Sequence, residues 1–266
     1  MIAGAAGGGY LSGMLISTPA IVLHAFDYSE TSRIVRIATR DAGVQSALAR
    51  GARRARSRFG SAFGLFAEGA AQLHVRDGRE LQTLSAFDVT RSRPSLGTDL
   101  GRFAGASAVA ELVLRFGAEN EANESLFDAL ADALDGIAAA EPEMASEAAL
   151  RGAWHLVAQL GFAPSVTACG VCHTPVDSHA DRPFSVAAGG VLCSSCAAFH
   201  PGGRILPSDA RSAIDRWSNA GRVGALSPRD ARAHQRLLRE FLQQHLSDGR
   251  ALRAFDAWEN GGWAAS

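Results

Sequence analysis

Four cysteines are the residues whose type and spacing point most directly to a chemistry. They fall as Cys169-x2-Cys172, then 20 residues, then Cys193-x2-Cys196. Each CxxC turn aims two sulfurs at one point, and a short hairpin between the turns brings all four together as a tetrahedral thiolate site for zinc. Gly170 in the first knuckle and Gly189-Gly190 ahead of the second supply turning freedom. Four sulfurs leave no open coordination position, so the expected ion is one structural Zn2+ that staples a loop-rich segment. His173, His179 and His200 lie near enough to replace a ligand, but they read as exposed or locally hydrogen-bonded once four thiolates saturate the metal. A zinc deaminase would need H-x-E and a proline before the second CxxC, and a thioredoxin-like site would need a βαβ setting; neither is present.

The second chemistry is phosphate binding. "ALARGARRARSRFGSAFG" carries Arg50, Arg53, Arg54, Arg56 and Arg58 among glycines and the aromatics Phe59 and Phe63. Guanidinium forks bind phosphate bidentately, and glycine lets backbone approach a ligand. Arg33 and Arg36 lie just upstream and complete the candidate DNA-binding set. Phe59 and Phe63 read as core or loop anchors in preference to stacking platforms. A single-strand-binding groove and an RNA-binding domain share this composition, and charge alone does not separate them.

The cations are all arginine, 26 of them, so lysine Schiff-base chemistry and a lysine P-loop are excluded. No GxGxxG, GxSxG or HExxH occurs, and no catalytic constellation emerges. The net charge of −1 conceals segregation. Residues 31–60 hold eight arginines against Asp41, residues 119–147 hold nine acids and no arginine, and residues 204–253 hold ten arginines against five acids. The acidic block reads as solvated helix faces, the basic cluster as a polyanion-binding end.

The elements that must position these residues follow from periodicity. "AIVLHAF", "RIVRIAT", "GVQSALARGA", "GLFAEGAAQLHV" and "ELQTLSAFDV" are short β-favouring runs, the last two flanking a "RDGR" hairpin tip. Five strands in some 75 residues fit a small Greek-key barrel such as an OB-fold. The linker between the third and fourth runs, "RGARRARSRFGSAFG", is glycine- and arginine-rich and cannot be core. Helical periodicity covers residues 95–162, with Ser95 and Ser125 as starts and a third helix at about 144–160. It returns over 207–258, with Ser208 and Ser227 as caps and Pro228 at the first helical position. The expected class is α+β: a five-stranded OB-fold barrel over 14–92, a helical domain over 93–164 and 204–258, and an inserted four-cysteine zinc finger over 165–203. Residues 1–13 read as a flexible tail, with Met14 a sensible start. The uncharged stretch before Asp27 lacks the positive start of an export signal and is too broken by glycine and proline to span a membrane. Reduced cytosolic thiols are therefore expected.

Taken together, these features resemble the RecO family of bacterial DNA repair proteins over roughly residues 14–246. "FDYSETSRIVRIATRDAG" resembles the family's opening, "ALARGARRARSR" its basic loop, "ALRGAWHLVAQLGFAP" its central helix and "FSVAAGGVLCSSC" its zinc-bearing segment. The loop's usual lysine is Arg50 here, which keeps the charge. The resemblance implies a non-enzymatic, cytoplasmic, nucleoid-associated recombination mediator. Such a protein binds single- and double-stranded DNA, anneals complementary strands, pairs with RecR, engages the acidic tail of the single-stranded-DNA-binding protein SSB, and so helps load RecA. It also implies an SSB-tail contact at Arg151, with Trp154 and His155 as weaker companions; otherwise Arg151 sits on a solvated face and Trp154 in the core. The rival readings are a zinc-containing nuclease or deaminase, disfavoured by the saturated site, and a zinc-ribbon RNA-binding or transcription adaptor.

Overall fold

The computed structural model describes residues 13–261 apart from 55, 56, 58, 60, 61, 77, 201 and 247–249. The expected tail therefore lies, except for Gly13, outside the described residues, as do Arg56 and Arg58. The chain divides into two units. One runs through Ser92 and includes Glu119–Ala122; the other takes Arg93–Ala118 and the chain from Asn123 onward.

In the first unit, β1 (Met14–Asp27), β2 (Arg33–Thr39), β3 (Gly43–Ala49), β4 (Glu68–Val75) and β5 (Leu81–Arg91) close into a barrel of order β1-β2-β3-β5-β4. β1 makes closure possible because its 14 residues serve two neighbours. Met14–Ile21 pair with β4, and Ala20–Asp27 pair with β2. The register shifts between Val22 and His24, a bulge that bends the strand from one neighbour toward the other. β3 and β5 pair in parallel from Ser46 opposite Leu81 to Ala49 opposite Leu84, which gives the OB-like topology.

Alternation places Val35, Ile37, Ala47, Ala49, Leu73 and Leu84 inside. The Arg/Gly linker is a correction, because it does enter the core: Ala52 and Ala62 are buried there with Phe59 and Phe63, the two aromatics read as core or loop anchors, whose rings are 5.0 Å apart, with Phe63 6.2 Å from Phe87. The linker's aromatics thus share one apolar cluster with the inward side chains of the strands. Glu119–Ala122, assigned by sequence to the helical domain, belongs with the barrel. Glu119 bridges Gly43 and Val44, and Asn120 Oδ1 accepts from Gln45 Nε2 at 3.2 Å.

The second unit is helical: α1 (Ser95–Thr98), α2 (Leu100–Phe116), α3 (Glu124–Ala139), a 3-10 turn at Pro142–Met144, and α4 (Ala145–Gln159). The cysteine segment follows, with β6 (Arg182–Ser185), β7 (Gly190–Val191), α5 (Ser194–Ala197) and β8 (Arg204–Leu206), and then α6 (Ser208–Ser218), α7 (Pro228–His245) and α8 (Arg253–Asn260). Ser227 caps α7 as expected, its side chain accepting from Asp230 N. The α3 cap is Asn123, not Ser125, because the Asn123 carboxamide reaches Leu126 N. Ser95 and Ser208 are first helical residues, each preceded by a proline.

The acidic block is not solvated throughout. Glu147 is fully buried, and its Oε1 accepts from Trp217 Nε1 at 3.1 Å and Val223 N at 3.0 Å. Asp135 takes a 2.6 Å hydrogen bond from the buried Arg93.

Candidate functional site

The four cysteines converge as their spacing requires. All four sulfurs lie within 4.8 Å of one another, and they are the group of potential metal ligands found among the described residues. The two knuckles are tied by backbone. Gly170 N donates to Val191 O at 2.8 Å, Val191 N to Ser165 O at 2.8 Å, and Ser165 N to Gly189 O at 2.9 Å. Gly190 is required by close approach: a Cβ there would stand 2.3 Å from Ser165 O. His173, His179 and His200 are exposed. The segment packs within the second unit, with the Phe184 ring 6.4 Å from Phe241 and His245 Nε2 2.6 Å from Val186 O.

The donor set fits zinc. Cys172 Sγ and Cys193 Sγ are 3.7 Å apart, and a tetrahedron with Zn–S bonds of about 2.3 Å has an edge of about 3.8 Å. Burial pushes the Cys169 thiol up, but backbone hydrogen bonds to Cys172, Cys193 and Val171 outweigh it and bring it to about 6. The Thr174 hydroxyl, then its backbone, lowers Cys172. Contact with Cys193, burial and the other two sulfurs push Cys196 up to about 12. Four sulfurs this close cannot all carry negative charge unless a cation sits among them, which is the electrostatic signature of a metal knot.

The arginines of the candidate DNA surface fall into two groups. Arg33 Nε donates to Asp27 Oδ1 at 2.9 Å, Arg53 Nε lies 3.2 Å from Asp27 Oδ2, and Arg36 Nη2 lies 3.4 Å from Glu119 Oε1. Arg53 Nη1 also donates to Ser29 O at 2.9 Å. Arg50 and Arg54 are exposed with no ion pair among the described residues. The engaged pairs are open to solvent, Arg33 at 41% and Asp27 at 48% side-chain exposure. Such pairs contribute roughly 0–1 kcal/mol, so a phosphate can displace the carboxylate.

On α4, Arg151 is half-buried and lies over Gly136 of α3; a Cβ on Gly136 would stand 2.7 Å from Arg151 Nη2. The missing side chain is what seats the guanidinium. Arg151 Nε is buried without a hydrogen-bond partner. His155 Nδ1 is 3.0 Å from Ser218 O and half-buried. Trp154 is a correction: it has no exposed surface and packs edge-on to Phe241 at 5.5 Å. On one helix turn, residue 154 faces inward when 151 and 155 stand at the boundary, so the indole belongs to the core and cannot touch a docked peptide.

The sequence reading missed three cationic or polar residues of the barrel. His74, Arg76 and Arg79 line a cleft of about 280 Å³ with Gly13, Arg50, Leu81, Gln82 and Thr83. The signal in the sequence is "RDGR", where Arg76 and Arg79 flank the Asp77-Gly78 turn.

Comparison with known proteins spans both units. The family model described as Recombination protein O N terminal matches residues 14–93, and the one described as Recombination protein O C terminal matches residues 97–253. The chain is 35% identical over 246 residues to the DNA repair protein RecO of Anaeromyxobacter sp. (strain K), covering 90% of this chain and 95% of that protein. It is 31% identical over 250 residues to the RecO of Gloeobacter violaceus, covering 92% of each. Against the RecO of Thermobifida fusca the identity is 33% over 244 residues, covering 88% of this chain and 95% of that one.

Proposed function

The chain belongs to the RecO family of DNA repair proteins, and from that premise we propose that it is a recombination mediator acting on single- and double-stranded DNA without bond chemistry. In this reading it anneals complementary strands, pairs with RecR, engages the SSB tail and helps load RecA onto SSB-coated DNA. The observation that carries the proposal is a closed five-stranded barrel whose β3–β4 linker exposes Arg50 and Arg54 and holds Arg53 only through solvent-exposed contacts. Cationic groups there screen the repulsion between two phosphate backbones, and base pairing supplies the net drive for annealing.

A zinc ion held by Cys169, Cys172, Cys193 and Cys196 would supply charge neutralisation and a covalent brace, with no substrate position left on it. Its role is to hold the knuckles on β6 and β7. Arg151, with His155 beside it, is the proposed contact for the acidic SSB tail. Arg151 is half-buried, so its charge is less screened by salt than a fully exposed one, which favours an acidic peptide as its partner. No helix among the described residues is long and apolar enough to cross a membrane, and the proposed place of work is the cytoplasm, at the nucleoid.

Strand annealing of complementary oligonucleotides, with and without SSB, tests the whole reading. The expected result is accelerated annealing that persists on SSB-coated strands. No acceleration over the spontaneous rate overturns it.

A further inference from the structure

The register of the barrel lines up one row of outward side chains across all five strands. Phe26 of β1 stands opposite Ile34 of β2, Ile34 opposite Leu48 of β3, Leu48 beside Thr83 of β5, and Thr83 opposite His74 of β4. Every member is exposed or half-exposed. One end of the row is aromatic. Phe26 is 42% exposed, Tyr28 two residues on is 60% exposed, and the His24 ring lies 5.5 Å from Phe26. These three alternate along β1 and its end, so they share a face. The other end is cationic: the cleft that holds His74, Arg50, Arg76 and Arg79.

The two ends call for different parts of one ligand. Three arginines and a histidine line the cleft, and among the described residues no acid lines it and no carboxylate pairs with Arg50, Arg76 or Arg79. A second cleft that shares Arg76 and Arg79 carries Asp41, Glu80 and Glu119, which repel an anion and favour the cleft without them. At about 280 Å³ the cationic cleft falls just below the usual range for small-molecule pockets, roughly 300–1,000 Å³, and its walls are polar, which suits a phosphodiester in transit better than an enclosed ligand. Exposed rings in a row suit unstacked bases. A duplex keeps its bases stacked inside; a single strand offers both bases and phosphates.

We propose that a single DNA strand crosses the barrel along this row, stacking bases on Phe26 and Tyr28 and seating its phosphates between Arg50, Arg76 and Arg79. The proposal rests on the DNA-binding reading above and deepens it. It transfers the main electrostatic contact from Arg33, Arg36 and Arg53, which carboxylates hold, to arginines that none among the described residues holds. It also separates single-strand from duplex binding, since the aromatic end serves only the former.

The test is fluorescence anisotropy of labelled oligo(dT) and of an abasic strand of equal length, across a salt series, with the full chain. The double variant R76A/R79A should bind both strands at least tenfold more weakly at low salt. Its log–log salt slope should fall by about 1.4, two phosphates at about 0.7 each for a single strand. F26A/Y28A should weaken oligo(dT) by at least about fivefold, the lower bound for loss of a single stacked base, and leave the abasic strand unchanged. All four side chains are exposed, and unchanged melting curves verify the fold. Unaltered affinity and slope in R76A/R79A overturn the proposal. So does an equal effect of F26A/Y28A on both strands or no effect on either, and so does loss of self-association in F26A/Y28A, which would make a second copy the occupant of the aromatic face. If the unsubstituted protein binds neither strand, the DNA-binding reading itself falls and takes this one with it; binding by the parent with indifferent variants sinks the path alone.

Discussion

Cys172 and Cys193 come from different knuckles, 21 residues apart in the chain, and their sulfurs stand 3.7 Å from each other. That distance is one edge of a tetrahedron of thiolates, and the backbone bonds between Gly170, Ser165 and Val191 hold it. Purified protein should contain one zinc per chain by elemental analysis. Cys193→Ser should lower stability by more than about 4 kcal/mol, the scale that marks loss of a structural metal among single substitutions, and should change DNA affinity little. A folded, metal-free preparation with wild-type melting would refute the site.

Asp27 competes with DNA for Arg33 and Arg53. Asp27→Asn keeps the side-chain shape and removes the charge, so it should tighten DNA binding, while Arg53→Ala and Arg54→Ala should each weaken it across sequences. Each arginine that meets a phosphate contributes about 0.9 to the duplex salt slope. Titrations at several salt concentrations read both signs. A weaker Asp27→Asn would show that the carboxylate positions the arginines instead of masking them.

The seat of Arg151 gives a test that leaves the cation in place. Arg151→Ala should weaken binding of an acidic SSB-tail peptide and spare naked DNA. Gly136→Ala should do the same, because its Cβ would stand 2.7 Å from Arg151 Nη2 and displace the guanidinium. Calorimetry with the peptide decides; intact peptide binding in both variants would remove Arg151 from the interface.

His234 is buried, its ring 4.8 Å from Trp217, and burial lowers its pKa below the ordinary 6.5 despite the nearby charges of Asp230 and Asp209. Below pH 6.5 the unfolded chain takes up a proton there that the folded chain resists, so stability falls as pH drops from 6.5 toward the folded value and is unaffected above it. His234→Gln should flatten that part of the melting-temperature profile. An identical slope in the variant would mean that other groups account for it.

The sequence by itself determined what local chemistry dictates. The CxxC spacing aims sulfurs in pairs, period-two alternation marks five strands, and Ser227-Pro228 starts a helix whatever lies around it. Only the tertiary structure decided what depends on distant partners. Ala52 and Ala62 of the arginine-rich linker became core beside Phe59 and Phe63, in the same cluster as the strands' inward side chains. Glu147 became buried because Trp217 and Val223, some 70 residues on, offer it N–H groups. Trp154 went inside by the turn of its helix against Phe241. Which arginines are held and which are open was settled by Asp27, Glu119 and a hairpin that brings Arg76 and Arg79 beside Arg50. Charge is a property of a residue, but its availability depends on the neighbours that the fold assembles, and a linear pattern contains no record of those distances.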